Sequence, residues 1–370
     1  MVLKNGPHRG AVTAPRSKSH EHRLLIADFL AGDDTRLVDV PDDSEDILAT
    51  KRCLRALRTD ETAPMLDCGE SGSTRRFLGP VAAVLGKRPV FVTAGRLGQR
   101  PQFDYPDLAP GEFRLPGDVS SQFVTGLLFA LPLLPGESFI RFDSPLQSRG
   151  YVDLTLRVLA GAGIYISLQD DGFGIPGGQS YHSQASCPIE GDWSAAAFWY
   201  AMNALGSEVM VDGVDIKSVQ PDRVVTELVR RISSAWTNEA VTVDVSGCPD
   251  LFPALSVVAA GSPGVTTFVG THRLKLKESD RTAAMAEVLE RFGVKPDCQD
   301  DRFVVKGSVR PFKGGRFASF GDHRIAMSVA VGATCAEGPV ELDDAECARK
   351  SYPAFFAEFE RTYTQQGRRI

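Results

Sequence analysis

The stretch F-G-D-H-R-I-A-M-S-V-A-V-G, Phe320 to Gly332, reads in two halves. Asp322, His323 and Arg324 stand together, and from Ile325 onward the side chains are small or apolar on nearly every face. Such a segment predicts a buried helix rather than an amphipathic one. Its charges gather at the N-terminus, where unpaired N–H groups and roughly half a positive charge make a ready anion site.

The same design recurs. A polar cluster opens an apolar stretch in Arg23 to Gly32, Arg76 to Gly86, Ser121 to Gly136, Asp192 to Gly206 and Pro249 to Gly261, and Asp322 to Gly332 is the sixth copy. Repetition along the whole chain points to internal structural repeats. The terminal glycines suit left-handed C-caps. Between the copies lie β-rich segments, Arg88 to Thr93, Glu137 to Phe142, Val241 to Val245 and Arg302 to Lys306. More polar helices are predicted at Tyr151 to Ala162 and Asp280 to Phe292. An ordinary α/β protein with alanine-rich helices would share this pattern. What separates the two readings is the clustering of Ser, Lys, Arg, Gln, Asp and His at helix starts, since several such ends converging would hold a polyanion.

Length and composition set the bounds. A chain of 370 residues suggests two domains, and 43% hydrophobic residues suffice for a sizeable core. The net charge of −6 argues against general nucleic-acid binding, which needs a basic face. The seven cysteines are scattered without a C-x-x-C pair and read as reduced thiols of a cytoplasmic protein. The N-terminal stretch has no apolar signal-peptide core, and no apolar run is long enough for a membrane span.

Five clusters carry the chemistry. In P-R-S-K-S-H-E-H-R, Pro15 to Arg23, Lys18 and Arg23 flank a helix start capped by Ser17 or Ser19. In C-G-E-S-G-S-T-R-R, Cys68 to Arg76, a glycine turn lets backbone approach a phosphate or carboxylate, and it lacks the G-K-[ST] of a nucleotide P-loop. V-S-S-Q-F, Val119 to Phe123, offers hydroxyls and an amide to sugar-like or phosphate oxygens. L-K-L-K-E-S-D-R, Leu274 to Arg281, places Lys277 and Arg281 at i, i+4 on one face if helical, with Glu278 beside them. The fifth cluster is the one around Asp322. Each of the first four also fits a plain capped helix with solvated charges. His20 and His22, at i, i+2, do not share a helix face, so no metal site is read there.

Taken in order, these clusters resemble the 5-enolpyruvylshikimate-3-phosphate synthase family. The matching pieces include S-K-S-x-x-x-R, G-x-S-G-S-x-x-R, Q-R-P, S-S-Q-F, S-x-x-Y-x-D-x-T (Ser148 to Thr155), E-G-D-x-S (Glu190 to Ser194), C-P-D, K-E-S-D-R, D-H-R and A-R-K-S-Y-P (Ala348 to Pro353). The resemblance implies an α/β (α+β) fold, a two-lobed inside-out α/β barrel of repeated βαβαββ units with buried parallel helices. Residues 1–16 and 191–370 would form one discontinuous lobe, and residues 17–190 the other, with shortened repeat units.

It also implies transfer of the enolpyruvyl (1-carboxyvinyl) group of phosphoenolpyruvate to shikimate-3-phosphate, on the pathway to chorismate and aromatic amino acids. No cofactor, metal, nucleic acid or membrane would take part, and the protein would be a monomer and a glyphosate target. Shikimate-3-phosphate would meet Lys18, Ser19, Arg23, Ser120, Ser121, Ser148, Asp250 and Lys277. Phosphoenolpyruvate would meet Lys18, Gly72, Arg100, Gln122, Arg281, Arg324 and Lys350. Asp250, Glu278 and Lys18 would be catalytic, Asp250 as base and Glu278 as carbon acid.

Some residues depart from the pattern. His22 and Glu70 stand where the family usually has Asn, with Arg75 a candidate partner for the added carboxylate, and Arg273 replaces another polar residue. The stretches between Asp46 and Cys68 and between Arg100 and Ser120 are short for the family. Two other functions fit less well. The sister enzyme acting on UDP-N-acetylglucosamine typically carries a cysteine where this chain has T-A-G-R-L-G-Q-R-P, and an inactive anion-binding scaffold would not need Lys18, Asp250, Glu278 and Arg324 together.

Overall fold

The computed structural model describes residues 1–105, 107–234, 240–308 and 310–363. Two compact units divide the chain, a discontinuous one, Met1–Arg16 with Glu190–Ile370, and a continuous one, Ser17–Ile189. Within the discontinuous unit an antiparallel bridge between Arg16 and Gly191 ties its two chain segments together.

The chain opens with β1 (Val2–Leu3) and β2 (Arg9–Thr13) of the discontinuous unit. The continuous unit then runs α1 (Lys18–Leu30), α2 (Glu45–Leu57), β3 (Met65–Gly69), α3 (Gly72–Val84), β4 (Val90–Thr93), β5 (Glu112–Leu115), α4 (Ser121–Ala130), β6 (Ser138–Phe142), α5 (Arg149–Gly161), β7 (Ser167–Gln169) and β8 (Gly172–Ile175). The discontinuous unit resumes with α6 (Trp193–Ala204), β9 (Glu208–Asp212), α7 (Val225–Ser233), β10 (Ala240–Asp244), α8 (Phe252–Gly261) and β11 (Val265–Val269). It ends with α9 (Arg281–Phe292), β12 (Asp297–Gln299), β13 (Arg302–Lys306), β14 (Phe312–Phe317), α10 (His323–Ala333), β15 (Ala336–Leu342) and α11 (Phe355–Thr362).

Two stretches share one βαβαββ order. The elements from β5 to β8 make a sheet in the order β5-β6-β8-β7, and those from β10 to β13 make one in the order β10-β11-β13-β12. In both, the first two strands are parallel across a buried helix and the last two form an antiparallel pair. The β14-α10-β15 segment repeats the parallel opening, and β1 pairs antiparallel with β15. β2 pairs in parallel with β9. In the continuous unit, β3 and β4 form a parallel pair around α3, and among the described residues the chain between Arg100 and Ser120 supplies one short strand, β5.

The six apolar stretches form α1, α3, α4, α6, α8 and α10. In the discontinuous unit α6, α8 and α10 pack on one another, and α10 is buried at every residue from His323 to Ala333. The glycine reading is right for three of the six. Gly32, Gly86 and Gly206, just past their helices, have φ of 82°, 71° and 104°, the left-handed geometry that satisfies terminal carbonyls. The expected third helix does not reach Gly136. It stops at Ala130, and a short 3₁₀ turn, Leu131–Leu133, contains Pro132, which has no N–H to continue an α-helix. Gly261 and Gly332 serve close packing instead. A Cβ on Gly332 would lie 2.4 Å from the Phe292 ring, and one on Gly261 would lie 2.6 Å from Leu205.

In the continuous unit α3 and α4 approach closely at Gly126. A Cβ on Gly126 would meet the Arg76 carbonyl at 2.4 Å and Pro80 at 2.8 Å. Gly126→Ala is therefore expected to destabilise by roughly 1–3 kcal/mol through overpacking, despite better helix propensity. The urea midpoint is the measure, and an unchanged midpoint would contradict this contact.

Candidate active site

In the discontinuous unit the charged residues converge on one carboxylate. Asp250 precedes α8, and its Oδ1 lies 2.7 Å from Arg281 and 3.4 Å from the Lys277 Nζ, while its Oδ2 lies 2.9 Å from Arg324. Arg281 also pairs with Glu278 at 2.9 Å and with Asp322 at 2.9 Å. Burial by itself disfavours the Asp250 carboxylate, but Arg324, Lys277 and Arg281 outweigh that and the opposing charge of Glu278, and hold its carboxyl well below the usual range. Burial lowers Lys277 to about 8 even with Asp250 opposing. Arg281 shows the reverse balance. Burial opposes its charge, but Asp322, Glu278 and Asp250 together hold its pKa well above the ordinary value.

Lys277 and Arg281 do not meet as helical neighbours. The 3₁₀ turn His272–Leu276 ends before Lys277, whose backbone is extended. Asp280 then caps α9 by accepting from the N–H groups of Thr282 and Ala283, so the helix starts at Arg281. Asp250 is what brings the two cations together. Lys350 is buried at the end of the 3₁₀ turn Glu346–Lys350, which packs against α10.

Asp322 organises this cluster, and the sequence reading left it without a role. It is fully buried, caps α10 through the Arg324 N–H at 2.9 Å, and accepts from Ser279 Oγ at 3.0 Å as well as from Arg281. The available signal was its place at the start of an apolar helix, where an aspartate is a preferred cap.

In the continuous unit a second group surrounds Gly72, the first residue of α3. A Cβ there would lie 3.1 Å from Arg76, 3.3 Å from Arg100 and 3.5 Å from Gln122. Arg76, also without an assigned role in the sequence reading, donates to Gln122 Oε1 at 2.6 Å and to the Pro101 carbonyl at 3.1 Å, and Gln122 Nε2 donates to Ser73 at 3.0 Å. Ser120 caps α4 by accepting from the Gln122 N–H, and Ser121 is buried beside it. Lys18 pairs with Asp46 at 2.8 Å, an acid the sequence did not single out. Ser17, not Ser19, caps α1, and Ser19 uses its carbonyl to accept from Arg23. Arg23 also donates to Thr155 Oγ1 at 2.8 Å and to the Tyr151 carbonyl at 2.9 Å. Burial lowers the Arg23 pKa, with Tyr151 opposing.

Ser148 is buried with φ at 55°. A non-glycine residue in this region stores strain, and such residues cluster at functional sites. Arg75 does not pair with Glu70. Its guanidinium turns to Asp104 at 3.2 Å, because it stacks over the Phe91 ring at 3.7 Å.

His22 explains its own departure from the family. Its Nδ1 lies 2.8 Å from Thr50 Oγ1, Thr50 lies 2.6 Å from Thr74 Oγ1, and Thr74 donates to Ser71 Oγ at 2.7 Å. Ser71 in turn caps α3 by accepting from the Thr74 N–H. Burial lowers the His22 pKa to about 3, with Asp46 opposing, so the ring is neutral and serves as a hydrogen-bonding group. Thr50→Val removes the middle hydroxyl and takes from the buried His22 Nδ1 its hydrogen bond to Thr50, while Thr74 keeps Ser71. It is expected to cost roughly 1–3 kcal/mol in chemical denaturation, and a variant as stable as the parent would mean the relay contributes nothing.

Known proteins resemble this chain along most of its length. Residues 102–359 match the family model described as EPSP synthase (3-phosphoshikimate 1-carboxyvinyltransferase). A 3-phosphoshikimate 1-carboxyvinyltransferase from Clostridium kluyveri is 37% identical over 408 residues, covering 95% of this chain and 94% of the relative, and one from Clostridium botulinum is 35% identical, covering 96% and 95%. Among solved structures, EPSP synthase from Acinetobacter baumannii superposes with a TM-score of 0.73 at 22% identity, covering 98% of this chain and 97% of that one. The enolpyruvyl transferase NikO from Streptomyces tendae superposes at 0.66 and 14% identity, covering 98% and 96%. The chain belongs to the EPSP synthase family.

Proposed function

We propose that this protein transfers the 1-carboxyvinyl group of phosphoenolpyruvate to the 5-hydroxyl of shikimate-3-phosphate and releases phosphate. The observation that carries this reading is the Asp250 carboxylate set among Lys277, Arg281 and Arg324 at 3.4, 2.7 and 2.9 Å. A reaction between two anions needs dense positive charge, and one that moves protons on both partners needs paired acids and bases. The proposed fold is a pair of inside-out α/β barrels, each with parallel helices inside. The seven cysteines stand as free thiols, which supports a cytosolic setting.

In this reading Lys18, Ser19, Arg23, Ser120, Ser121, Ser148, Asp250 and Lys277 hold shikimate-3-phosphate. Lys18, Gly72, Arg100, Gln122, Arg281, Arg324 and Lys350 hold phosphoenolpyruvate. Asp250 takes the proton of the 5-hydroxyl as its oxygen bonds to C2 of phosphoenolpyruvate, and Glu278 gives a proton to C3, leaving a tetrahedral intermediate. Loss of a methyl proton and of phosphate then restores the vinyl double bond. Asp250, held well below the usual carboxylate range, is a weak base while Arg324 and Arg281 are paired to it. Anionic substrate groups that engage those arginines weaken their hold and raise its basicity, so the base strengthens when substrate is present.

Phosphate release with both substrates tests the reaction directly. Asp250→Asn and Glu278→Gln are expected to keep the fold by circular dichroism and to lose roughly 10²- to 10⁴-fold in kcat. Near-parental turnover in both would remove these two residues from the mechanism.

The low Lys277 pKa sets a pH dependence. The side chain is a cation below about 8 and loses its proton above it, so attraction for shikimate-3-phosphate falls as pH rises. The kcat/KM for shikimate-3-phosphate, which reports the free enzyme, is expected to decline above pH 8. Lys277→Arg should push that limb upward, because a guanidinium keeps its charge. An alkaline limb unmoved in Lys277→Arg would assign it to another group.

A further inference from the structure

A cavity of about 270 Å³ in the continuous unit plays no part in the chemistry above. Its walls are Phe91 of β4 and Phe103 and Tyr105 of the short connection after Arg100, and α3 contributes Arg75 and Gly79. Lys87 and Arg88 add two further cations, and Asp104 and Asp107 add carboxylates.

Charge is poorly balanced at Arg75. Its side chain is 10% exposed, yet its ion-pair partner, Asp104 at 3.2 Å, is 90% exposed. Withdrawing a guanidinium from water for so loose a pair costs more than the pair returns. The other acid is engaged elsewhere and weakly, since Asp107 lies 3.4 Å from Arg88 with both side chains in solvent. Lys87 donates to the carbonyls of Thr59 and Glu61.

The surroundings of Arg75 are aromatic. Its guanidinium lies over Phe91, and the Tyr105 ring lies across from Gly79, where a Cβ would come within 3.3 Å of Arg75 and 3.5 Å of Tyr105. The Tyr105 hydroxyl is buried without a hydrogen-bond partner among the described residues. Burial pushes it up to about 12, Arg75 opposing, so it carries its proton and is a donor without an acceptor. An anion that replaced Asp104 on Arg75 would supply that acceptor.

We propose that this cavity is a second ligand site, for a small aromatic carboxylate, with the carboxylate on Arg75 and the ring against Phe103 and Tyr105. The aromatic requirement follows from the walls, since offset or edge-on ring contacts add to simple burial. The carboxylate requirement follows from the planar fork of the guanidinium, which matches two oxygens at once. The site belongs to the shortened connection of this chain, which supplies Phe103 and Tyr105. That same connection leads from Arg100, and Phe103 packs edge-on against Phe123 at 4.3 Å, next to Gln122. The proposal itself does not rest on the assignment of Arg100 or Gln122 to substrate.

The test is binding, measured without turnover. Benzoate is titrated into the full chain by isothermal calorimetry, alone, with inorganic phosphate, and with saturating shikimate-3-phosphate. Benzoate is expected to bind in all three cases, and Arg75→Gln to weaken it roughly ten- to a hundredfold, the loss of a charge-assisted hydrogen bond. Gly79→Val, which fills the floor of the cavity, is expected to abolish it, and it keeps the test decisive if Arg75→Gln does not fold. Displacement by phosphate or by shikimate-3-phosphate would mean a general anion site or the substrate site, and would overturn the proposal. So would undiminished binding in Gly79→Val. Because no catalytic step is read, an inactive enzyme would not be mistaken for an empty cavity.

Discussion

The ion pair between Arg281 and Asp322 is the interaction on which the charged end of the discontinuous unit depends. Both side chains are withdrawn from water, at 1% and 0% exposure. A buried pair offsets its desolvation only if the remaining donors and acceptors are also satisfied. Asp322 meets that condition by holding Ser279, Arg281 and the first turn of α10 at once. Arg281 meets it by reaching Asp250 and Glu278. The pair thus aligns the two carboxylates proposed as base and acid, and losing Arg281 would leave the buried Asp322 charge without that counter-ion, at a cost of about 3–5 kcal/mol.

The two units handle the same problem with different caps. In the continuous unit Ser17, Ser44, Ser71 and Ser120 cap α1, α2, α3 and α4. In the discontinuous unit Asp192, Asp280 and Asp322 cap α6, α9 and α10. A serine satisfies an N–H without adding charge, so the positive end of the helix dipole remains for an anion. An aspartate largely neutralises it. The serine-capped ends keep their positive pole, as at Gly72, which Arg76 and Arg100 surround. The aspartate-capped ends are internally balanced, and their attraction for anions comes from Lys277 and Arg324 instead. The His22–Thr50–Thr74–Ser71 relay belongs to the first solution, since it fixes a cap with neutral groups only.

Much of this was legible in the sequence because burial leaves a compositional mark. A stretch such as Ile325 to Gly332 has no polar face to offer solvent, so its helix must be interior, and the charges before it must be enclosed as well. The strands at Arg302 to Lys306 and Val241 to Val245 were legible because β-branched and aromatic residues, which favour strands, gather there. Where the reading failed, an interaction distant in sequence had decided. Lys277 and Arg281 have the spacing of helical neighbours, but Asp280 caps a helix that begins only at Arg281, and Asp250 supplies the contact. Arg75 has a carboxylate nearby in sequence, but Phe91 turns it toward Asp104.

The sequence by itself determined which helices are buried, where their polar ends lie and which family the ordered motifs resemble, because these follow from hydrophobic period and local residue type. Only the tertiary structure decided the partners. Asp46 beside Lys18, Asp322 beneath Arg281, Gln122 beside Arg76 and Thr50 between His22 and Thr74 join residues from separate elements. The physical reason is that a buried charge or hydroxyl must be satisfied by whatever group the packing brings within about 3 Å, and no local rule of sequence specifies which group that will be.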